Sequence, residues 1–241
     1  MIVLCAYYRG DVYPHNRAEF DFYLKDTHMP SVARWPCLRE LRLLKNDRQS
    51  YLDEMPQYYQ AIELSFDSEE DLHASMNSEE RLTTKELSRQ DQAQFKDLFG
   101  GEILHTIYSA TEISVPNPGA VKMLRCAYYM GEVLPEREQW LDNFSVNEHL
   151  PDVACWPGLT RLRYLKKTGS EFFGDAPKYY HVYELSFASQ NDIDVAMASE
   201  ERKKTRRDAA KDRDPKTGRF FGFRGEVHHT NYTVEEFSVN E

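Results

Sequence analysis

The sequence predicts an α+β fold. Two tandem copies of a β-α-β-β-α-β unit are expected to pack sheet to sheet, as a pseudo-twofold eight-stranded barrel with helices outside. Three observations predict it. The 241-residue chain repeats itself: Cys5-Ala6-Tyr7-Tyr8 returns as Cys126-Ala127-Tyr128-Tyr129, and Glu63-Leu64-Ser65-Phe66 as Glu184-Leu185-Ser186-Phe187. Each copy reads strand, helix, strand, strand, helix, strand by its apolar periodicity. Aromatic residues make up 13% of the chain, and an aromatic sheet face left bare in water is unstable unless a twin sheet covers it.

The repeat extends along most of the chain. His28-Met29-Pro30 returns as His149-Leu150-Pro151, Trp35-Pro36 as Trp156-Pro157, Tyr58-Tyr59 as Tyr179-Tyr180, and Ser78-Glu79-Glu80-Arg81 as Ser199-Glu200-Glu201-Arg202. All are offset by 121 residues. The offset is 124 by Gly101-Glu102 and Gly225-Glu226, so the second copy carries a three-residue insertion. Copies this long are not solenoid repeats. They read as two domains, 1–115 and 121–241. A linker over 116–120 is expected where Pro116, Pro118 and Gly119 punctuate the chain.

In the first copy, residues 2–9 are β-branched, aromatic or apolar and are bounded by Gly10, which predicts a strand. Pro14 opens a helix whose Phe20, Tyr23, Leu24 and Thr27 share a face, and Pro30 and Pro36 mark its end. Leu38 to Lys45 is the second strand and Tyr58 to Phe66 the third. Ser68, with Asp71 three residues on, has the spacing of an N-cap. Ser78 caps a further helix running to about Phe95, and Glu102 to Thr111 is the last strand. The second copy repeats each step. This order is that of the ferredoxin-like unit.

Forty acidic against thirty basic residues, net charge −10, give a long-range field of the wrong sign for a nucleic-acid partner. No apolar run approaches a membrane span, and the N-terminus has no basic leader, so no secretory signal is expected. The four cysteines form no CxxC pair, which predicts free thiols in a reduced, cytoplasmic setting. There is no HxH, HExxH or Gly-rich phosphate motif, so neither a metal nor a phosphate loop is expected. The basic run Arg202 to Arg219 is broken by Asp208, Asp212 and Asp214. It reads as a solvated face and loop, with a lid role or recruitment of an anionic substrate group as the other readings.

The unit resembles the EthD-like branch of the dimeric α/β-barrel superfamily. The residues that carry the resemblance are Tyr7-Tyr8, Thr27-His28-Met29-Pro30, Trp35-Pro36-x-Leu38-x-x-Leu41, Ser78-Glu79-Glu80 and Gly101-Glu102. In the second copy they are Glu148-His149-Leu150-Pro151, Trp156-Pro157-Gly158-Leu159, Ser199-Glu200-Glu201 and Gly225-Glu226. Cys37 stands where the family pattern has glycine. The resemblance implies the barrel fold and small ligands, often aromatic or polyketide-derived, held between the sheets. The activities it implies range over cyclases, dehydratases, decarboxylases, isomerases, lyases and cofactor-free oxygenases.

His28 and His149 are the leading catalytic candidates, because an imidazole at a helix end beside an aromatic cavity moves protons near neutral pH. The alternative is that each ring shapes the Pro turn. Differences between the copies add further candidates: Leu4 becomes Arg125, Gln60 becomes His181, Ile62 becomes Tyr183 and Leu104 becomes His228. Arg125 and His181 join the catalytic set unless, with His228, they face solvent. Strand alternation turns Tyr59, Glu63, Tyr180 and Glu184 into the barrel, against Ile62-Leu64-Phe66 on the helix side. There each Glu serves as a base or as a structural partner of Arg42 or Arg163. Tyr7, Tyr128, Tyr59, Tyr180, Glu63, Glu184, His228 and Trp156 are the substrate-binding candidates, with packing the other role of Trp156.

The expected function is that of a cofactor-independent lyase or isomerase acting on a small aromatic or polyketide-like molecule. A histidine would transfer the proton, and Tyr128, Tyr180, His181 or Arg125 would stabilise an enolate or phenolate oxygen. Two readings compete: a non-catalytic binder or accessory protein whose barrel is filled by its own rings, and a haem-dependent oxygenase. The expected partners are the small ligand and a second copy in a homodimer, with no nucleic acid and no membrane.

Overall fold

A computed structural model describes residues 1–46, 58–95, 98–168, 177 and 179–239. Eight strands form one sheet: β1 (Ile2–Val12), β2 (Leu38–Asn46), β3 (Gln60–Phe66), β4 (Phe99–Ile113), β5 (Met123–Val133), β6 (Leu159–Lys167), β7 (Tyr179–Phe187) and β8 (Phe223–Phe237). They close into a barrel in the order β1-β3-β2-β8-β5-β7-β6-β4. Each unit contributes the same four-strand order, β4-β1-β3-β2 and β8-β5-β7-β6. The units are joined by two antiparallel ladders, β2 with β8 (Leu44 opposite Val234) and β4 with β6 (Ala110 opposite Leu165). The predicted sheet-on-sheet barrel is therefore hydrogen-bonded all round, and closure leaves no open strand edge.

The helices lie outside. In the first unit they are α1 (Arg17–Phe22), α2 (Met29–Val32), α3 (Glu69–Met76) and α4 (Glu79–Phe95). In the second they are α5 (Pro135–Phe144), α6 (Leu150–Ala154), α7 (Gln190–Ala198) and α8 (Glu200–Asp208). The predicted caps form: Ser68 Oγ accepts from the Asp71 amide at 3.1 Å and Ser189 Oγ from the Asp192 amide at 3.2 Å. No helix among the described residues is long and apolar enough to cross a membrane. Cys5 and Cys126 are buried free thiols, and Cys37 and Cys155 exposed ones.

Strand alternation sorts the interior into three cores. Ile62, Leu64 and Phe66 meet Phe20, Leu24 and Met29 between the first sheet and its helices. Tyr183, Leu185 and Phe187 do the same in the second unit with Leu141, Phe144 and Leu150. The third core fills the barrel itself, with Tyr7, Tyr58, Tyr108, Tyr128, Tyr179 and Tyr232 around Val3, Leu44, Leu124 and Leu165.

Two elements differ from the sequence reading. The first strand does not stop at Gly10. It continues to Val12 because Gly10 lies opposite Gly101, where a Cβ on Gly10 would stand 2.3 Å from the Gly100 carbonyl oxygen. Glycine here permits close backbone approach and does not mark an end. Nor does the first helix stop at Pro30. A π-helical turn, Tyr23–His28, absorbs the proline and leads into α2, and Ser145–His149 does the same before Pro151. Proline has no amide hydrogen for the carbonyl four residues back and its ring crowds that oxygen, so the chain widens there. Each widened turn ends on its histidine.

Candidate functional site

The barrel interior is a packed core. On the strands flanking the pseudo-twofold axis, Arg42 and Arg163 (each 1% exposed) face Glu63 and Glu184 (3% and 2%). Arg42 and Arg163 both donate to Glu63, Arg163 at 2.8 Å across the unit boundary, and both donate to Glu184, Arg42 at 3.4 Å. Burial alone would raise both carboxyls. For Glu63 the two guanidiniums outweigh it and hold the group well below the usual range, whereas burial and the neighbouring carboxylate push Glu184 up to about 7. The pair titrates as one unit. These glutamates are the structural partners of Arg42 and Arg163.

The same packing corrects other expectations. Tyr7 and Tyr128 are buried to 2% and 1% exposure, with their hydroxyls bonded to Tyr108 (3.1 Å) and Tyr232 (3.0 Å). They belong to the buried cluster that fills the barrel. Tyr58 and Tyr179 take the inward places given above to Tyr59 and Tyr180. Tyr59 packs on the helix side and lines a pocket of ≈ 200 Å³ with Arg17, Asp21, Lys45 and Asn46. Arg125 is buried and donates to Asn231 at 2.8 Å. It lies opposite Leu185, four residues along β5 from the Tyr129–His181 pair, about 13 Å away at strand spacing. His228 sits half-buried beside Glu226, 3.1 Å from its carboxylate. Trp156 donates to Thr205 at 3.1 Å, as Trp35 does to Thr84 at 3.0 Å, so both indoles pin their helices.

Two candidates do come together, on the helix-covered face of the second sheet. His149 ends the widened turn after α5, and His181 stands on β7. Tyr183 lies between them: its ring stacks on His181 (4.6 Å, 15°) and lies 5.8 Å from His149. Tyr129 packs against both of these rings, 4.1 Å from His181 and 5.0 Å from Tyr183. Phe220 closes the cluster, 5.2 Å from both His149 and Phe144, with Arg213 over its face at 4.4 Å. The hairpin that places Phe220 bridges Arg213 to Phe220 and holds the turn Asp214 to Gly218 at its tip. This hairpin, within the basic run read from the sequence as a solvated face and loop, thus delivers a ring into the site.

Polar groups thread this aromatic cluster. Ser145 and Tyr183 share a hydroxyl bond of 2.7 Å. Tyr164 donates to Asp142 at 2.6 Å, Tyr180 donates to the same carboxylate at 3.0 Å, and Lys166 pairs with Asp142 and Glu138. The Tyr164 oxygen is 3.4 Å from His181 Nδ1. Among the described residues no group bonds His181 Nε2, although the residue is fully buried. Burial and the Arg213 charge lower His149 to about 4, and burial lowers His181 well below its ordinary value. Both rings are neutral near pH 7, the form that accepts a proton.

The first unit shows what the second has added. Leu24, Leu43, Gln60 and Ile62 occupy the places of Ser145, Tyr164, His181 and Tyr183, and the face is an apolar core. There His28, lowered to about 4 by burial, stacks on Tyr23 at 6.1 Å and meets Ser88 at 3.5 Å. Sequence reasoning found His181 and the Tyr183 difference but missed Ser145, Tyr164, Asp142 and Phe220. The signal was present in the 121-residue offset, which exchanges leucine for a hydroxyl twice on one face.

No family model and no curated protein matches the chain. Solved structures do. An anthrone oxidase-like protein matches with a TM-score of 0.61 at 12% identity, covering 100% of this chain and 93% of its own. A candidate monooxygenase from Fusobacterium nucleatum matches with a TM-score of 0.61 at 7% identity, over 98% and 93%. Another from Lactobacillus acidophilus matches with a TM-score of 0.56 at 10% identity, over 99% and 96%. These likenesses, with the closed ring of eight strands, show the fold: an eight-stranded α/β barrel built from two ferredoxin-like units, the fold that the EthD-like resemblance implied.

Proposed function

We propose that the protein binds a small aromatic or polyketide-like molecule against the helix-covered face of its second sheet and transfers a proton there. His149 and His181 act as the acid/base groups, and Tyr183 with Ser145 supplies the hydroxyls that meet a developing enolate or phenolate oxygen. The observation that carries this reading is the pair of neutral imidazoles flanking Tyr183, on a face where the first unit has Leu24, Leu43, Gln60 and Ile62 at the places of Ser145, Tyr164, His181 and Tyr183. Neutral imidazole is the proton acceptor such chemistry needs, and preorganised hydroxyls are its oxyanion partner. Oxidase-like and monooxygenase names among proteins of this fold support a small-molecule role and leave the bond chemistry to this chain's own residues.

A second reading has its own observation. The barrel core is filled by the chain's own rings, as expected of a non-catalytic binding or accessory protein. One experiment separates the two. The protein is incubated with a panel of phenols, anthrones and aryl ketones, with binding read by tyrosine fluorescence and conversion by mass spectrometry. The proposal expects conversion in the wild type and a loss of about a hundredfold or more in His149→Gln and His181→Gln. Binding without conversion, unchanged in both variants, supports the accessory reading.

A further inference from the structure

Tyr164 has one hydroxyl proton and two neighbours that compete for it. Asp142 Oδ1 is 2.6 Å away and His181 Nδ1 3.4 Å. A carboxylate only accepts, and a charge-assisted bond at the shorter distance is the stronger one. The proton therefore lies toward Asp142, and the Tyr164 oxygen presents a lone pair to the imidazole. Nδ1 then carries the ring hydrogen, because a bare Nδ1 would face a bare oxygen. In a neutral imidazole the other nitrogen is left as the acceptor. That nitrogen, Nε2, is the fully buried atom that no group among the described residues bonds.

We infer that Asp142 and Tyr164 are positioning residues that hold His181 in its Nδ1–H form and leave Nε2 as the acceptor for the acidic O–H of a phenol or enol. The ligand class rests on the function proposed above; the tautomer stands on its own geometry. Asp142 is itself anchored by Lys166 and Tyr180, so the row of groups runs from a surface ion pair to a buried lone pair. The first unit keeps Asp21, Lys45 and Tyr59 at the matching places but has Leu43 and Gln60 in place of Tyr164 and His181. The two members that make the relay are thus present together in one copy and absent together from the other. When a phenol binds, its O–H donates a hydrogen bond to Nε2, and the Nδ1–H held toward the Tyr164 oxygen keeps that acceptor in place.

The test is the nitrogen spectrum of histidine-labelled full-length protein, with His181 assigned by its loss in His181→Gln. Wild type is expected to show a protonated Nδ1 and a bare Nε2 without any ligand. Tyr164→Phe, which keeps the ring, is expected to lose that preference and to bind phenol about five- to tenfold more weakly, the worth of one hydrogen bond. A wild-type Nε2–H signal, or an unchanged tautomer in Tyr164→Phe, overturns the relay. Phenol is expected to move the Nε2 resonance, while its methyl ether is not. Equal shifts from both overturn the ligand class. Binding of neither probe overturns the proposed function and the ligand class with it, while the tautomer result still judges the relay.

Discussion

Arg163 reaches across the boundary between the two units and donates to Glu63 at 2.8 Å, while it also pairs with Glu184 of its own unit. One guanidinium thus ties both halves together at the centre of a closed barrel. Removing one member of a buried charge group leaves its partners desolvated and unpaired. Arg163→Met is expected to cost about 3–5 kcal/mol in denaturant unfolding. Replacing all four charged residues by apolar ones of similar size is expected to cost much less, because no orphan charge remains.

Acid is expected to weaken the fold before the ordinary carboxylates titrate. His28 and His149 are lowered to about 4 by burial, against about 6.5 in the unfolded chain. Above about 6.5 both states are neutral and this contribution is intact. As pH falls through that value toward 4, the unfolded chain takes up protons the folded one refuses, and stability is lost, roughly 1–3 kcal/mol per histidine. Glu184 works in the opposite sense. Its carboxyl, raised by burial, favours the fold in acid, and that contribution is lost as pH rises through its folded value. The difference between wild type and His28→Gln/His149→Gln unfolding curves cancels the Glu184 contribution and should show the histidine slope alone.

The Gly10–Gly101 and Gly131–Gly225 crossings are expected to tolerate no side chain. A Cβ on Gly131 would lie 2.2 Å from the Arg224 carbonyl oxygen. Gly131→Ala must push the strands apart, at a cost of about 2–4 kcal/mol read in thermal unfolding. Gly218→Ala meets nothing within 4 Å and, despite its positive φ, is expected to cost about 1 kcal/mol.

Phe220 is 1% exposed and closes the cluster over His149. Phe220→Ala is expected to cost about 3–4 kcal/mol and to admit water to the imidazole. The His149 titration, followed by proton NMR, should then rise from about 4 toward the ordinary value. An unchanged titration would mean that the ring does not exclude water from His149.

Much of this architecture was legible in the sequence. The duplication gave the two units, the order of elements and the serine caps, and the aromatic strands required a covering sheet. The location of the site was not. Buried polar residues on strands suggested a cavity between the sheets, yet those nearest the axis, Glu63 and Glu184, pair with Arg42 and Arg163. A register shift beside Tyr129 and Met130 turns Tyr179 inward and Tyr180 outward, and strict alternation cannot show it. Asp142 and Tyr164 gain meaning only when a helix is laid over the sheet, since 22 residues separate them in the chain.

The most direct measurement is a structure of the protein with a phenolic probe bound. The account predicts the probe's ring against Tyr183 on the helix-covered face of the second sheet, its oxygen within hydrogen-bonding distance of His181 Nε2. A probe lodged between the two sheets, or against Tyr59 and Lys45 of the first unit, would contradict it.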